Sequence, residues 1–200
     1  MQFIDENPFE YDEEQMGIVI DDLFGSQDKK TIHDETFDYL QWMNNRKCRQ
    51  QMIYSYLVKN YSKYHKKEVL EVGCGRTARL SRMLKSYYNM TAMDPKVEYN
   101  NHYFLKCIKQ EFTENTPIDK YDFIFGLEPC DATEHIIRAC VKAKKDFIVV
   151  LCGVPHKRID GIMPEDADSW YNYLVSIDKD FLTLERLKNP DFSPYIIRKK

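Results

Sequence analysis

No apolar run in this 200-residue sequence approaches the roughly 20 residues that a membrane-spanning helix needs, so no membrane partner is expected. The first fifteen residues lack the basic and apolar regions of a secretion signal, which predicts a cytosolic, cytoplasmic protein. The six cysteines, Cys48, Cys74, Cys107, Cys130, Cys140 and Cys152, are spread out, and three of them fall in strand-like or helix-like apolar patterns rather than on a loop framework, so reduced thiols are predicted. Repeats and low-complexity stretches are missing as well. Glycine is scarce, seven residues in all, so the pair Gly73 and Gly75 in "VLEVGCGRTARL" stands out.

What is present fits one sizeable core: 43% of side chains are hydrophobic, enough for a single α/β domain with an N-terminal extension. The net charge of -3 conceals an asymmetry. Of the 32 acids, eleven fall in residues 1–36 beside only Lys29 and Lys30, a local -9, which leaves 27 bases against 21 acids in residues 37–200, or +6. Residues 1–36 therefore read as an acidic segment, solvated or folded over a basic face, with the apolar side chains of "GIVIDDLFG" as its packing candidates. Residues 37–200 read as one domain, with a helical lead-in over 37–66 and the core over 67–200.

In the lead-in, Cys48, Met52, Ile53, Tyr56 and Leu57 recur at helical spacing. "KNYSKYHKK" follows, where lysines alternate with tyrosines. Such interleaving can hold a nucleic-acid backbone and stack on bases, but the solvated end of a helix is the preferred reading, because cations also suit a helix C-terminus. From residue 68 the elements alternate: strands near 68–72, 89–93, 103–108, 121–127 and 146–152, helices near 77–88, 132–144 and 165–177. Strand, helix, strand in this order predicts a mostly parallel sheet covered on both faces. Two further β-rich runs, about 181–187 and 194–199, flank Asn189-Pro190-Asp191 and predict a closing antiparallel hairpin, for seven strands in total.

Gly73 and Gly75 permit a tight turn and the close approach of a ligand, followed by a helix whose apolar face is Leu80, Met83, Leu84 and Tyr87. The spacing Gly73-x-Gly75-x-x-Ala78 also passes for a dinucleotide fingerprint. Glu71 separates the two readings. A carboxylate two residues before the first glycine repels a pyrophosphate and attracts a cationic ligand.

Here the chain resembles the class I S-adenosylmethionine-dependent methyltransferases over residues 67–200, most specifically in "VLEVGCG" followed, nineteen residues after Gly75, by Asp94 in "MTAMDP". The resemblance implies a seven-stranded, mostly parallel Rossmann-like methyltransferase sheet with a C-terminal antiparallel hairpin, and S-adenosyl-L-methionine as cofactor. It implies that Glu71, Gly73, Cys74 and Gly75 form the cofactor loop and that Asp94 binds the ribose hydroxyls. Gln110 or Glu111 would accept from the adenine amine, Phe112 would lie beside the ring, and Leu127 would border the cofactor. Thr77 stands where the usual loop has a third glycine, and would narrow the turn or cap the helix.

"GLEPCDATE" leaves the carboxyl end of the fourth strand, where open α/β sheets place their chemistry. Together with "VVLCG" it resembles a methyltransferase subgroup, tRNA-modifying enzymes included, with a Leu-His-x-Cys-Asp-x-x-Thr motif and a later Val-Val-Pro-Cys-Cys. Glu128 replaces the histidine, and Leu151-Cys152-Gly153 departs from the second motif. Glu128, Pro129 and Asp131 are the candidate catalytic residues, while Asp131 and Glu134 also have capping-box spacing. Cys130 and Cys152 end two strands that should be neighbours and His156 follows. With no fourth ligand in the pattern they read as half-buried thiols, and no metal is expected. His135, on a helix, is expected to be solvated, and Trp170, Tyr171 and Tyr173 to pack the last helix. The methyl acceptor is expected to be RNA or another nucleic acid, from the +6 core and the subgroup resemblance, with a small molecule as the alternative. A cofactor-binding module without catalysis is a further alternative, and a nicotinamide oxidoreductase is disfavoured by Glu71.

Overall fold

A computed structural model describes residues 49–98, 105–188 and 193–200. The chain divides into two units, residues 1–52 and 53–200, and the second holds the sheet. The acidic segment 1–36, residues 37–48 of the lead-in and the turn at 189–191 lie outside the described residues.

Helix α1 (49–60) turns Ile53 and Leu57, four residues apart, onto one buried face. A 3-10 turn, Ser62–Tyr64, follows, and Lys59, Lys63, Lys66 and Lys67 are exposed around this helix end, as its solvated-end reading expects, while the tyrosines between them turn inward. Tyr61 and Tyr64 stack on the ring of Phe123 at 4.5 and 4.9 Å. The Tyr64 hydroxyl bonds the Asp146 carboxylate, to which Lys63 Nζ also donates at 2.8 Å. Aromatic faces gain more from burying each other than from standing in water, so Tyr64 joins the core and the half-buried Tyr61 packs against the same ring.

Among the described residues, seven strands form one sheet: β1 (Glu68–Val72), β2 (Asn89–Met93), β3 (Leu105–Ile108), β4 (Phe123–Leu127), β5 (Asp146–Val150), β6 (Leu182–Arg186) and β7 (Tyr195–Lys199). Their order is β3-β2-β1-β4-β5-β7-β6. The first five neighbours run parallel, and β7 pairs antiparallel with both β5 and β6. Central parallel strands are buried on both faces and need near-continuous apolar runs, which β1 (EVLEV) and β4 (FIFGL) supply. Glu71 is the exception inside β1.

Helices α2 (Arg79–Leu84), α3 (Ala132–Ala143) and α4 (Ala167–Ser176) pack against β2, β5 and β6 respectively. Helix α2 is shorter than the predicted 77–88. It begins only after Ala78, held left-handed at φ 45°, and Thr77 does not cap it. At its other end the N–H groups of Tyr87 and Tyr88 both fold back on the Leu84 carbonyl. Helix α4 begins with a true cap, Asp166 Oδ1 accepting from Ser169 N at 2.7 Å.

The capping box expected at α3 is not made. Asp131 holds the cap position without a side-chain bond to the helix. Glu134, 1% exposed, accepts instead from Arg138 Nε (2.7 Å), from the Tyr173 hydroxyl (2.6 Å) and from Ile159 N (2.9 Å). This carboxylate ties α3 to α4 and to the loop between β5 and α4. Three donors satisfy it in a place where an unpaired charge would be costly.

Candidate functional site

The strand order reverses between β1 and β4, and open α/β sheets bind ligands in the crevice outside the carboxyl ends of strands at such a point. A cavity of about 340 Å³ lies there, within the range of small-ligand sites. Of the residues singled out in the sequence, Gly73, Asp94, Gln110, Glu111, Phe112, Glu128, Pro129, Cys130 and Asp131 line it. Glu71, Cys74, Gly75 and Leu127 do not line this cavity, although Gly75 bonds one of its walls.

Asp94 follows β2 directly. Its Oδ2 accepts from Gly75 N at 3.0 Å and its Oδ1 from Lys96 N at 2.7 Å. Two backbone donors from separate loops therefore fix the carboxylate, and each oxygen keeps a lone pair for a ligand hydroxyl. The floor beside it is apolar, built from Val72, Met93 and the buried Phe112. Gln110 and Glu111, both exposed, stand where the chain leaves β3.

Glu71 sits beneath the loop, 2% exposed, bonded by the Ser81 hydroxyl of α2. Burial pushes its carboxyl up to about 7, with the Asp94 charge adding to the rise and the Ser81 bonds opposing it. The same burial pushes the Cys74 thiol up.

Pro129 occupies the space that two glycines leave open. A Cβ on Gly73 would lie 2.8 Å from Pro129 Cβ, and one on Gly126 would lie 2.8 Å from Pro129 Cγ. The glycine loop is thus shaped by this proline, not by a ligand alone. The residues on either side of Pro129, Glu128 and Cys130, are both left-handed at φ 50°. Glu128 N donates to Val150 O at 2.9 Å, which pins the turn to β5.

Pro95, Lys96, Ala132 and His135 also line the cavity. His135 is half-buried there, not solvated, because the first turn of α3 faces the crevice. Its Nδ1 is buried without a hydrogen-bond partner. Its spacing of four residues from Asp131, one helical turn, was the available signal.

Beside the cavity the Cys130 and Cys152 sulfurs and a His156 ring nitrogen lie within 4.8 Å of one another. The register Leu127↔Val150 places the ends of β4 and β5 side by side, so the residues just beyond them meet. Cys152 Sγ is 2.9 Å from His156 Nε2, and His156 Nδ1 is 3.3 Å from Asp131 Oδ1. The Tyr171 hydroxyl donates to Cys152 O at 2.8 Å and anchors the segment. The cysteines are free, as expected, but they form a cluster that the sequence reading set aside. The Cys130 thiol donates to Glu128 O at 3.4 Å; the proximity of the two sulfurs lowers Cys152, with His156 adding to the effect, while Cys130 is pushed up.

No protein-family model matches the chain, and no curated protein matches it. Among solved structures it is similar to magnesium protoporphyrin IX methyltransferase (ChlM) from Synechocystis PCC 6803. With bound SAH, that structure superposes at a TM-score of 0.54 with 11% identity, covering 94% of this chain and 95% of that one. With bound SAM the TM-score is 0.53 at 10% identity, covering 96% and 99%. The sheet order, the parallel half and the antiparallel β5-β7-β6 edge are those of the Rossmann-like methyltransferase fold.

Proposed function

We propose that the chain is a class I S-adenosylmethionine-dependent methyltransferase with its cofactor in the Asp94 cavity. The observation that carries this reading is Asp94 itself: a carboxylate held by two backbone donors at the end of β2, with acceptor capacity left on both oxygens, suits a pair of ribose hydroxyls. Phe112, Met93 and Val72 offer an apolar surface for a purine, and Gln110 or Glu111 an acceptor for its amine. The buried Glu71, when ionised, adds negative potential under a loop that would face a cationic ligand, and a cation bound there would in turn favour its charged form.

When bound, this cofactor supplies a methyl group on a sulfonium, open to direct displacement. The chain's own residues then have to orient the acceptor and take up its proton. Glu128 lines the cavity at the end of β4 and is the residue that would accept that proton or hold the acceptor by hydrogen bond. Asp131 stands at the rim with its side chain 93% exposed and partners His156, which supports an orienting role for it.

A small molecule is the better-supported acceptor. Asp94, Glu111, Glu128 and Asp131 put four carboxyl side chains on the cavity wall beside the ammonium of Lys96, an acidic balance that disfavours a phosphate backbone. Val154, Ile159, Ile162 and Met163 are exposed on the loop that leaves β5, a surface suited to an apolar body. The test is calorimetry with S-adenosylhomocysteine and with NAD. Selective binding of the homocysteine derivative, weakened in Asp94→Ala, is expected; preference for NAD would overturn the reading.

A further inference from the structure

We propose that Cys130, Cys152 and His156 form a binding site for a zinc-type divalent cation, with Asp131 orienting the histidine and a fourth position open to water. The site shares Cys130 and Asp131 with the wall of the cofactor cavity, and the proposal does not rest on the methyltransferase reading.

The donor set is selective. Two thiol sulfurs and an imidazole suit Zn²⁺ and not Mg²⁺ or Ca²⁺, which take oxygen ligands. The spacing is close to what an ion needs. With Zn–S of about 2.3 Å and Zn–N of about 2.0–2.1 Å, tetrahedral ligand atoms lie roughly 3.6–3.8 Å apart. The three donor atoms already lie within 4.8 Å of one another, and the 2.9 Å contact between Cys152 Sγ and His156 Nε2 has to open by only about 0.7 Å to reach that spacing.

The histidine is prepared for the role. Asp131 Oδ1, 3.3 Å from Nδ1, favours the tautomer with its proton on Nδ1, which leaves the Nε2 lone pair facing the sulfurs. Carboxylate, histidine and metal in a row is the usual outer-shell arrangement of zinc sites. The donors are also well supported. Cys130 follows the proline wedged between Gly73 and Gly126, and the carbonyl of Cys152 is held by Tyr171. Cys130 is exposed, which provides an entry path. A single nucleophilic thiolate would use one sulfur and the histidine and leave the second thiol without a purpose. One cation accounts for all three donors. Three protein ligands with an open position are the pattern of sites that bind and exchange a further group.

The test uses the full chain, stripped of metal under reductant and titrated with Co²⁺ as a spectroscopic probe, followed by Zn²⁺. One equivalent of Co²⁺ with a thiolate charge-transfer band, displaced by Zn²⁺, is expected. Cys130→Ser, Cys152→Ser and His156→Gln should each abolish the band, and Asp131→Asn should weaken Zn²⁺ roughly 10–100-fold, the scale of outer-shell partners. Cys107→Ser should leave binding unchanged. Should a variant fail to fold, alkylation of the unaltered chain gives an independent reading: Zn²⁺ should protect Cys130 and Cys152 together. The proposal is overturned by a chain that develops no thiolate band under reductant, by a band that survives replacement of both cysteines, or by alkylation of Cys152 at the same rate with and without Zn²⁺.

Discussion

Pro129 is wedged between Gly73 and Gly126, so that the end of β1 and the end of β4 approach each other through a proline ring. A methyl group on either glycine would come within 2.8 Å of it. The contacts differ in kind. At Gly126 the nearest atom is Pro129 Cγ, the outer edge of the ring, whereas at Gly73 the neighbours are Pro129 Cβ and, at 2.9 Å, its backbone Cα.

That difference gives a first prediction. Gly73→Ala should destabilise the protein by about 1–3 kcal/mol or more, since overpacking adds to the strain of φ 73°. Pairing it with Pro129→Ala should not rescue it, because Cβ and Cα remain. Gly126→Ala should cost about 1–3 kcal/mol, and there Pro129→Ala should recover part of the loss. Denaturant unfolding of the four variants decides it. Equal rescue at both glycines would mean that the loop moves freely and the wedge is not rigid.

The distance along the chain governs what could be read in the sequence. The apolar run of β1, the paired glycines and Asp94 nineteen residues later are local patterns, and the sheet order follows from strand and helix alternation. Glu134 was misread as half of a capping box because its actual partners, Tyr173 and Ile159, lie 39 and 25 residues away. Tyr61 and Tyr64 offered a basic-aromatic pattern whose meaning depended on Phe123, which reaches them only once β4 is in the sheet. The thiol cluster was half visible: the two strand ends were expected to be neighbours, but the Asp131–His156 contact depends on the path of two loops. Helix α2 fell short at both ends: its first residues are spent on the turn that brings Gly75 N to Asp94, and at its close Tyr87 N and Tyr88 N fold back on the Leu84 carbonyl.

A second prediction concerns Asp94. Asp94→Ala should weaken S-adenosylhomocysteine by roughly 1–3 kcal/mol, the scale of hydrogen bonds to a charged group. Asp94→Asn, which keeps one acceptor oxygen, should lose less. Since Gly75 N and Lys96 N also lose their acceptor in the alanine variant, it should unfold at lower temperature without ligand. Calorimetry and thermal unfolding together separate the two effects. Unchanged affinity in a stable Asp94→Ala variant would remove the ribose role.

Glu71 gives a prediction about pH. Its folded-state carboxyl is raised to about 7 from an ordinary 4.5, so the fold favours the protonated form. Below about 4.5 this contribution to stability is fully present, and it declines as pH rises toward about 7, because the unfolded chain releases the proton first. Above that window the native state carries a buried charge. Glu71→Gln keeps the shape and a hydrogen-bonding partner for Ser81 without the charge. Relative to the unaltered protein, its stability should improve across this window by up to about 3 kcal/mol, an upper bound from the size of the shift. Unfolding measured from pH 4 to 8 should show the two curves diverging there. Parallel curves would mean that Glu71 titrates at its ordinary value.

The final prediction tests catalysis at Glu128. The residue lines the cavity, leaves β4 in a left-handed turn and is fixed through its own N–H to Val150 O, so its position depends on backbone geometry that a side-chain change leaves alone. Glu128→Gln keeps size and packing while removing the charge and the basic oxygen. If the carboxylate takes the acceptor's proton, the variant should bind S-adenosylmethionine normally and lose roughly 10²-fold or more in methyl transfer, the usual contribution of a positioned base. The loss should shrink as pH rises with an acceptor acidic enough to ionise in solution, since the base is then no longer needed. Equal losses in cofactor affinity and turnover would place Glu128 in the cofactor pocket. Full activity would leave orientation by the Pro129–Asp131 turn as the source of rate, because displacement at a sulfonium requires alignment of three atoms before it requires a base.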